Sequence, residues 1–231
     1  MRAVLTHCRW SLVLIIVHHL NNSRSQRILW MLEELALPYD LRLYQRNSAT
    51  MLAPPELKQV HPLGKSPMIQ DMGGSGGAEV TLVETGAICE YLVDKSNGRL
   101  GAPNDRIGAL RYRQFLHYAE GSVMPPLFAK LVVSRVPMIG KFAASKVQPM
   151  IDVHLDYIEQ ELSGRAWFAG EALTAADIMM SFPLEAASSR AGLDGSRPAT
   201  IAWLEKIHAR PAYQAALAKG GEYAFVKPRG K

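Results

Sequence analysis

Six consecutive aliphatic residues, Leu12 to Val17, decide most of what this chain can become. The run is too short for a helix of normal length and, with Val and Ile prominent, suits a strand covered on both faces. A polar turn, His18 to Asn22, leads to Ser23, after which Ile28, Met31, Leu32 and Leu35 recur at helical spacing until Pro38 forbids continuation. Asp40 to Tyr44 then alternates, with Leu41 and Leu43 on one face and Arg42 and Tyr44 on the other, as a strand does. Strand, helix and strand in close succession form a βαβ unit with a right-handed crossover.

Pro54 and Pro55 open a short helix that Pro62 and Gly64 end near His61. Ser66 to Gln70 reads as a brief strand opened by proline, and the glycine-rich stretch 73–77 as a hairpin loop into a strand over Val80 to Val83. Glu84 to Val93 reads as a helix, and the Gly, Pro and Asn residues between Ser96 and Asn104 mark a domain boundary. Beyond it only helical signals remain: Arg106 to Glu120, Val147 through Leu162 closed by Gly164, Ile201 to Ala209 and Pro211 to Ala218. The sharpest local signal is Leu173-Thr174-Ala175-Ala176-Asp177-Ile178, a capping box in which Thr174 and Asp177 cap each other and Leu173 staples onto Ile178. The expected organisation is an α/β domain over residues 11–95 (βαβ-ββα) followed by an all-α bundle over residues 105–223.

Composition removes several classes of function. With 48% apolar and 20% charged residues the chain is globular, not disordered. Two cysteines, Cys8 and Cys89, make no disulfide framework, and no Cys or His pair has zinc spacing, so no metal and a reducing, cytoplasmic compartment are expected. The longest strongly apolar run falls far short of the roughly 20 residues that span a bilayer, so no membrane partner is expected. The net charge of +5 comes without a nucleic-acid-type basic run; the densest patches, Arg106 to Arg113 and Lys227 to Lys231, read as solvated faces, and the excess suits small anions.

Four motifs, in this order and spacing, resemble the cytosolic glutathione transferase family over nearly the whole chain, from Leu12 to about Tyr223. They are Asn22-Ser23-Arg24-Ser25-Gln26-Arg27-Ile28 with Leu32-Glu33-Glu34-Leu35, His61-Pro62-Leu63-Gly64-Lys65-Ser66-Pro67, Glu84-Thr85-Gly86-Ala87-Ile88, and Leu173-Thr174-Ala175-Ala176-Asp177. The first three are most similar to the bacterial and fungal branch with a serine-arginine pair at helix one. The resemblance implies a thioredoxin-like N-terminal domain, a symmetric homodimer, and glutathione as co-substrate with no resident cofactor. Two departures stand out: Ser66 precedes Pro67 where the family usually has a larger aliphatic, and Met1 to Trp10 lies outside the family pattern.

By that resemblance Pro67 is cis, and Ser66 presents main-chain N–H and C=O groups that bind the tripeptide as an added strand. Thr85, at a helix start, receives the γ-glutamyl carboxylate, Glu84 takes its ammonium, and Lys65 reaches the glycine carboxylate. The thiol must also be activated. Lowering a thiol pKa of about 8.5 by about two units takes roughly 2.7 kcal/mol. The resemblance gives the activating hydroxyl to Ser23, where a charge-assisted hydrogen bond of about 1.5 to 3 kcal/mol acts with the helix dipole; Asn21 and Asn22 are its rivals.

Each residue also has a plainer role. Ser23 alone is a helix N-cap, Glu84 a first-turn carboxylate and Lys65 a solvated lysine. Thr174 and Asp177 belong to folding, and Cys89 to packing. His117, Tyr118, Met124 and Phe128 are expected to line the pocket for a small hydrophobic electrophile, although such residues at helical spacing also suit a core. The expected function is conjugation of glutathione thiolate to such electrophiles, in detoxification. The alternatives are a glutathione-dependent peroxidase or disulfide reductase, and a non-catalytic interaction module on the same fold.

Overall fold

The computed structural model describes residues 15–73 and 78–226. Strand β1 spans Ile15–Leu20, α1 Gln26–Leu35, β2 Tyr39–Tyr44, α2 Leu57–Val60, β3 Met68–Asp71, β4 Val80–Val83 and α3 Thr85–Lys95. The four strands form one sheet in the order β2-β1-β3-β4; β2 is parallel to β1, while β3 runs antiparallel to both β1 and β4. This is a thioredoxin-like layer, with α1 and α3 packed on the sheet through Leu29, Leu32, Ile88 and Leu92.

The first strand lies further along the chain than the aliphatic run suggests. Leu12 to Leu14 fall outside the described residues, and His18, His19 and Leu20, read from sequence as a turn, complete β1. The strand accepts both imidazoles because each finds buried or half-buried partners: His18 meets the Tyr44 hydroxyl and the Gln70 amide at 2.9 Å each, and His19 meets Ser25. On β2, Leu43 is exposed, unlike its expected facemate Leu41, because the end of this edge strand runs out from under its cover. The loop residues 74–77, Cys8 and the terminal basic patch lie outside the described residues.

The helical part comprises α4 Arg106–Tyr118, α5 Met124–Val133, α6 Gly140–Ser163, α7 Ala175–Arg190, α8 Pro198–His208 and α9 Pro211–Gly220. Helices α4 and α5 run on through one π-helical turn, Ala119–Val123, a local widening that is frequent at functional sites. Sequence periodicity stops the first of these helices at Glu120 and misses α5, whose Pro125 and Pro126 sit in its first turn, directly after the π-helical turn. Helix α6 begins before Val147, at Gly140, and carries Pro149 in its interior. Helix α7 is buried from Ala175 to Ala187 and forms the axis of the bundle. Its expected capping box is present: the Thr174 N–H donates to the Asp177 carboxylate at 2.9 Å, and the same carboxylate accepts from the Phe168 N–H at 2.9 Å.

The two parts are locked along α1, which packs on α7 and α9. Glu34 on α1 binds the Arg210 guanidinium through both oxygens, at 2.5 and 2.8 Å, and Glu33 meets Lys219 at 2.6 Å. Among the described residues no helix is long and apolar enough to cross a membrane, and no group of acidic, His and Cys side chains could hold a metal ion.

Candidate functional site

Strand register decides which residues meet. Met68 pairs with His18 on one side and Val83 on the other, so the residues before Met68, those after Leu20 and those after Val83 emerge at one end of the sheet. Ser66, Ser23 and Thr85 are therefore neighbours in space although they come from three separate stretches. Such sheet ends, where loops and helix starts converge, are where α/β folds bind ligands.

The Ser66-Pro67 peptide bond is cis. The Ser66 hydroxyl donates to the His18 carbonyl at 2.8 Å, which ties this turn to β1. Its main-chain N–H and C=O take no protein partner among the described residues, the condition for accepting a peptide in strand fashion. Lys65 stands exposed beside it after Gly64, whose φ of +56° and contact with Lys58 leave no room for a side chain.

Glu84 caps α3 with φ 73° and ψ 118°, a conformation costing a non-glycine residue about 1 to 3 kcal/mol. That bend exposes the Glu84 side chain and starts α3 at Thr85, whose hydroxyl is buried and accepts from Arg27 Nη2 at 3.2 Å. The amides of the first turn of α3 have no intrahelical acceptors and face the same end of the sheet.

Arg27 organises this corner. It is 1% exposed, donates Nη1 to the Met179 carbonyl at 2.8 Å, and pairs Nη2 with Glu120 at 2.5 Å. Glu120, on the π-helical turn, also accepts Arg24 Nε on both oxygens, at 3.0 and 3.1 Å. Burial pushes the Glu120 carboxyl up, but the Arg27 and Arg24 guanidiniums outweigh it and hold it below the usual range. One ionised carboxylate thus offsets part of the charge of two cations. Sequence reasoning left Arg27 without a role and missed Glu120 altogether; a separation of 93 residues gives no local signal for this pair.

Ser23 is 5% exposed, and its hydroxyl lies 2.7 Å from that of Ser25 while accepting the Ser25 N–H at 3.2 Å. Ser25 reaches His19 Nδ1 at 2.9 Å and accepts the Leu20 N–H at 3.2 Å. Burial pushes the His19 imidazole down to about 4, against an opposing hydrogen bond with the Gly220 main chain. The ring is therefore neutral at pH 7. The Ser25 hydroxyl has three acceptors in reach: His19 Nδ1, the Leu20 carbonyl at 3.3 Å and the Ser23 oxygen. The Ser23 hydroxyl is thus engaged with Ser25 inside the protein.

The neighbouring asparagines are engaged through their side-chain oxygens. Asn21 Oδ1 accepts the Arg46 N–H at 2.9 Å, and Asn22, with φ 51°, accepts the Ala224 N–H at 2.6 Å. The second bond ties the segment after α9 to the turn before α1, and within that segment Phe225 packs edge-on to the buried Phe182 at 5.1 Å. The four residues expected to line an electrophile pocket are not gathered together. His117 and Phe128 are exposed, Met124 sits in the bundle core, and Tyr118 turns to α6, where its hydroxyl meets His154 at 2.6 Å. Arg24, next to Ser23 in the chain, lies with its Cζ 5.4 Å from the centre of the buried Phe182 ring. Cys89 is buried, and its thiol is pushed up to about 12 by that burial.

Comparison with known proteins bears on the family and the fold. A family model described as "Glutathione S-transferase, N-terminal domain" matches residues 23–95, and one described as "Glutathione S-transferase, C-terminal domain" matches residues 123–211. The chain is 34% identical over 220 residues to "Glutathione S-transferase 3" of Schizosaccharomyces pombe, covering 89% of this chain and 88% of that protein. It is 29% identical over 199 residues to "Disulfide-bond oxidoreductase YfcG" of Escherichia coli, covering 84% and 90%. The crystal structure of a glutathione S-transferase from Actinobacillus pleuropneumoniae superposes with a TM-score of 0.79 at 32% identity, covering 91% of this chain and 94% of that one.

Proposed function

The chain belongs to the glutathione S-transferase family, and from that premise we propose that it binds glutathione at the Ser23, Ser66 and Thr85 end of the sheet and transfers its thiolate to small electrophiles. The observation that carries this reading is the unpaired Ser66 main chain, set next to the start of α3 and the Arg27–Glu120 pair. Ser66 holds the cysteinyl part by two main-chain bonds. Thr85 and the α3 amides hold the γ-glutamyl carboxylate, Glu84 and Glu120 face its ammonium, and exposed Lys65 meets the glycine carboxylate.

Thiol activation follows from the serine pair. The substrate S–H first meets the free Ser23 lone pair; once its proton leaves to solvent, the Ser23 O–H swings from Ser25 to the sulfur. That swing gives up a neutral hydrogen bond of about 1 kcal/mol for a charge-assisted one of about 1.5 to 3 kcal/mol. The N-terminus of α1 adds about 0.3 to 1 kcal/mol. The Arg24 and Arg27 charges, only partly balanced by Glu120, supply the remaining field. The thiolate then forms a C–S bond while the leaving group departs with its electron pair.

Isothermal calorimetry with glutathione, followed by conjugation of 1-chloro-2,4-dinitrobenzene, tests the reading. Saturable binding and turnover above the uncatalysed rate are expected; no heat at millimolar glutathione would sink it. Light scattering in the same buffer checks the homodimer that this reading includes.

A second reading, glutathione-dependent disulfide reduction, is favoured by the likeness to the Escherichia coli oxidoreductase. Cys89 is too buried and too weakly acidic to attack a disulfide, so in this reading the attacking thiol is that of bound glutathione. Turnover of mixed disulfides in excess of aryl halides would select it.

A further inference from the structure

The turn that joins α5 to α6 carries more open apolar surface than a solvated turn needs. Every residue from Ser134 to Ile139 is exposed. Val132, Val136, Met138, Ile139 and Phe142 all stand open to solvent, Ile139 at 59% and Phe142 at 66%. Met138 also adopts φ 66°, a left-handed conformation that glycine or asparagine holds at less cost. The turn is closed all the same. The Gly140 N–H donates to the Val136 carbonyl at 2.9 Å and the Ile139 N–H to the Pro137 carbonyl at 2.8 Å. A Cβ on Gly140 would lie 2.5 Å from the Ser134 carbonyl oxygen, so the chain packs tightly behind the tip. Apolar side chains held outward on a closed turn mark an interaction surface.

Charge decides what kind of partner suits it. Between Glu120 and Asp152 the chain has no acidic residue and four cations, Lys130, Arg135, Lys141 and Lys146. None of the four meets a carboxylate within salt-bridge distance among the described residues; Lys130 is bonded to the neutral Gln148 amide, and Lys146 Nζ stands 5.0 Å from the centre of the Phe142 ring. Arg190, at the end of α7, lines a small cavity with Lys130 and Ser134 and adds a fifth cation. A two-fold contact between copies would set this surface against itself, cation to cation. A folded partner would have to bring a shaped pocket for each apolar side chain. An anionic bilayer supplies phosphates for the cations and a fluid apolar layer that needs no prior shape.

We propose that the tip between α5 and α6 seats the protein on the surface of an anionic lipid bilayer, with Met138, Ile139 and Phe142 below the headgroups and Arg135, Lys141 and Lys146 at the phosphates. The long lysine stems let each ammonium stay at headgroup level while the neighbouring ring goes deeper. Because the turn is already closed, little order has to be imposed on binding. The contact is peripheral: among the described residues no helix could cross a bilayer. The expectation of no membrane partner rests on the missing span, and a surface contact needs none. The proposal stands apart from the glutathione reading and survives its failure.

Co-sedimentation of the whole chain with vesicles of phosphatidylcholine alone, and of equimolar phosphatidylcholine and phosphatidylglycerol, tests it. Binding to the second kind only, weakening as sodium chloride is raised, is expected. The joint change Lys141→Gln and Lys146→Gln should lower vesicle affinity about tenfold. Met138→Asn should also lower it about tenfold, through lost apolar burial. Its melting temperature should equal or exceed that of wild type, since asparagine accepts the left-handed turn, so weaker binding there is not a failure to fold. Equal binding to the two kinds of vesicle, or affinity unchanged in both variants, overturns the proposal. So does assembly without lipid, followed by light scattering, that these variants abolish; that result gives the tip to a second copy of the chain.

Discussion

The hydroxyls of Ser23 and Ser25 lie 2.7 Å apart, so the group proposed to meet the ligand sulfur already has a partner inside the protein. Removing the Ser23 hydroxyl takes away the sulfur's donor but not the main-chain grip on the tripeptide. Ser23→Ala should lower kcat/KM for aryl-halide conjugation about 10- to 100-fold, the size of one charge-assisted hydrogen bond, with glutathione affinity within about threefold. Steady-state kinetics beside calorimetry checks both; unchanged turnover would move the role to Asn21 or Asn22.

His19 makes stability depend on pH. Its folded pKa, about 4, lies below the ordinary 6.5, so the unfolded chain takes up the proton first as pH falls. The stability due to neutral His19 is complete above pH 6.5 and is lost as pH falls toward 4, on the order of 3 kcal/mol in all. Urea midpoints measured from pH 7.5 to 4 should show this slope, and His19→Asn should flatten it; parallel curves for the two proteins would refute the assignment.

Glu120 is the partner of a buried cation. Glu120→Ala leaves Arg27 ionised and without an anion, and stability should drop by about 3 kcal/mol. Glu120→Gln, which keeps the hydrogen-bond acceptor, should lose less. Guanidinium denaturation of the three proteins ranks them, and a ranking with the alanine variant as stable as wild type would contradict the pairing.

The capping box predicts a fixed order of damage in α7. Thr174→Ala removes one cap and should cost about 1 kcal/mol. Asp177→Ala should cost more, about 3 kcal/mol, since it also orphans the Phe168 amide. Conjugation activity per folded molecule should survive in both, measured after active-site titration with glutathione.

The fold was legible because its signals are local. Pro38 ends α1, the alternation after Asp40 makes β2, and Thr174 with Asp177 starts α7; each acts within a few residues. The limits of β1 were not, because whether His18 and His19 belong to a strand depends on Tyr44, Gln70 and Ser25 arriving to receive them. The motif residues Ser23, Ser66 and Thr85 could be named in advance, and strand register brings them to one place. Arg24, Glu120, Phe182 and Phe225 could not. Their meeting depends on how the helical half settles on α1, and helical periodicity tells buried from exposed without saying which buried face meets which. That is why Tyr118 and Met124, reasonable by spacing, turn to α6 and the bundle core.

The bond from the Ala224 amide to Asn22 joins positions 202 residues apart. During synthesis Ala224 leaves the ribosome 202 residues after Asn22, when the sheet has had time to form. A nascent chain stalled before residue 224 would carry every motif serine and still lack the amide that Asn22 receives in the finished fold.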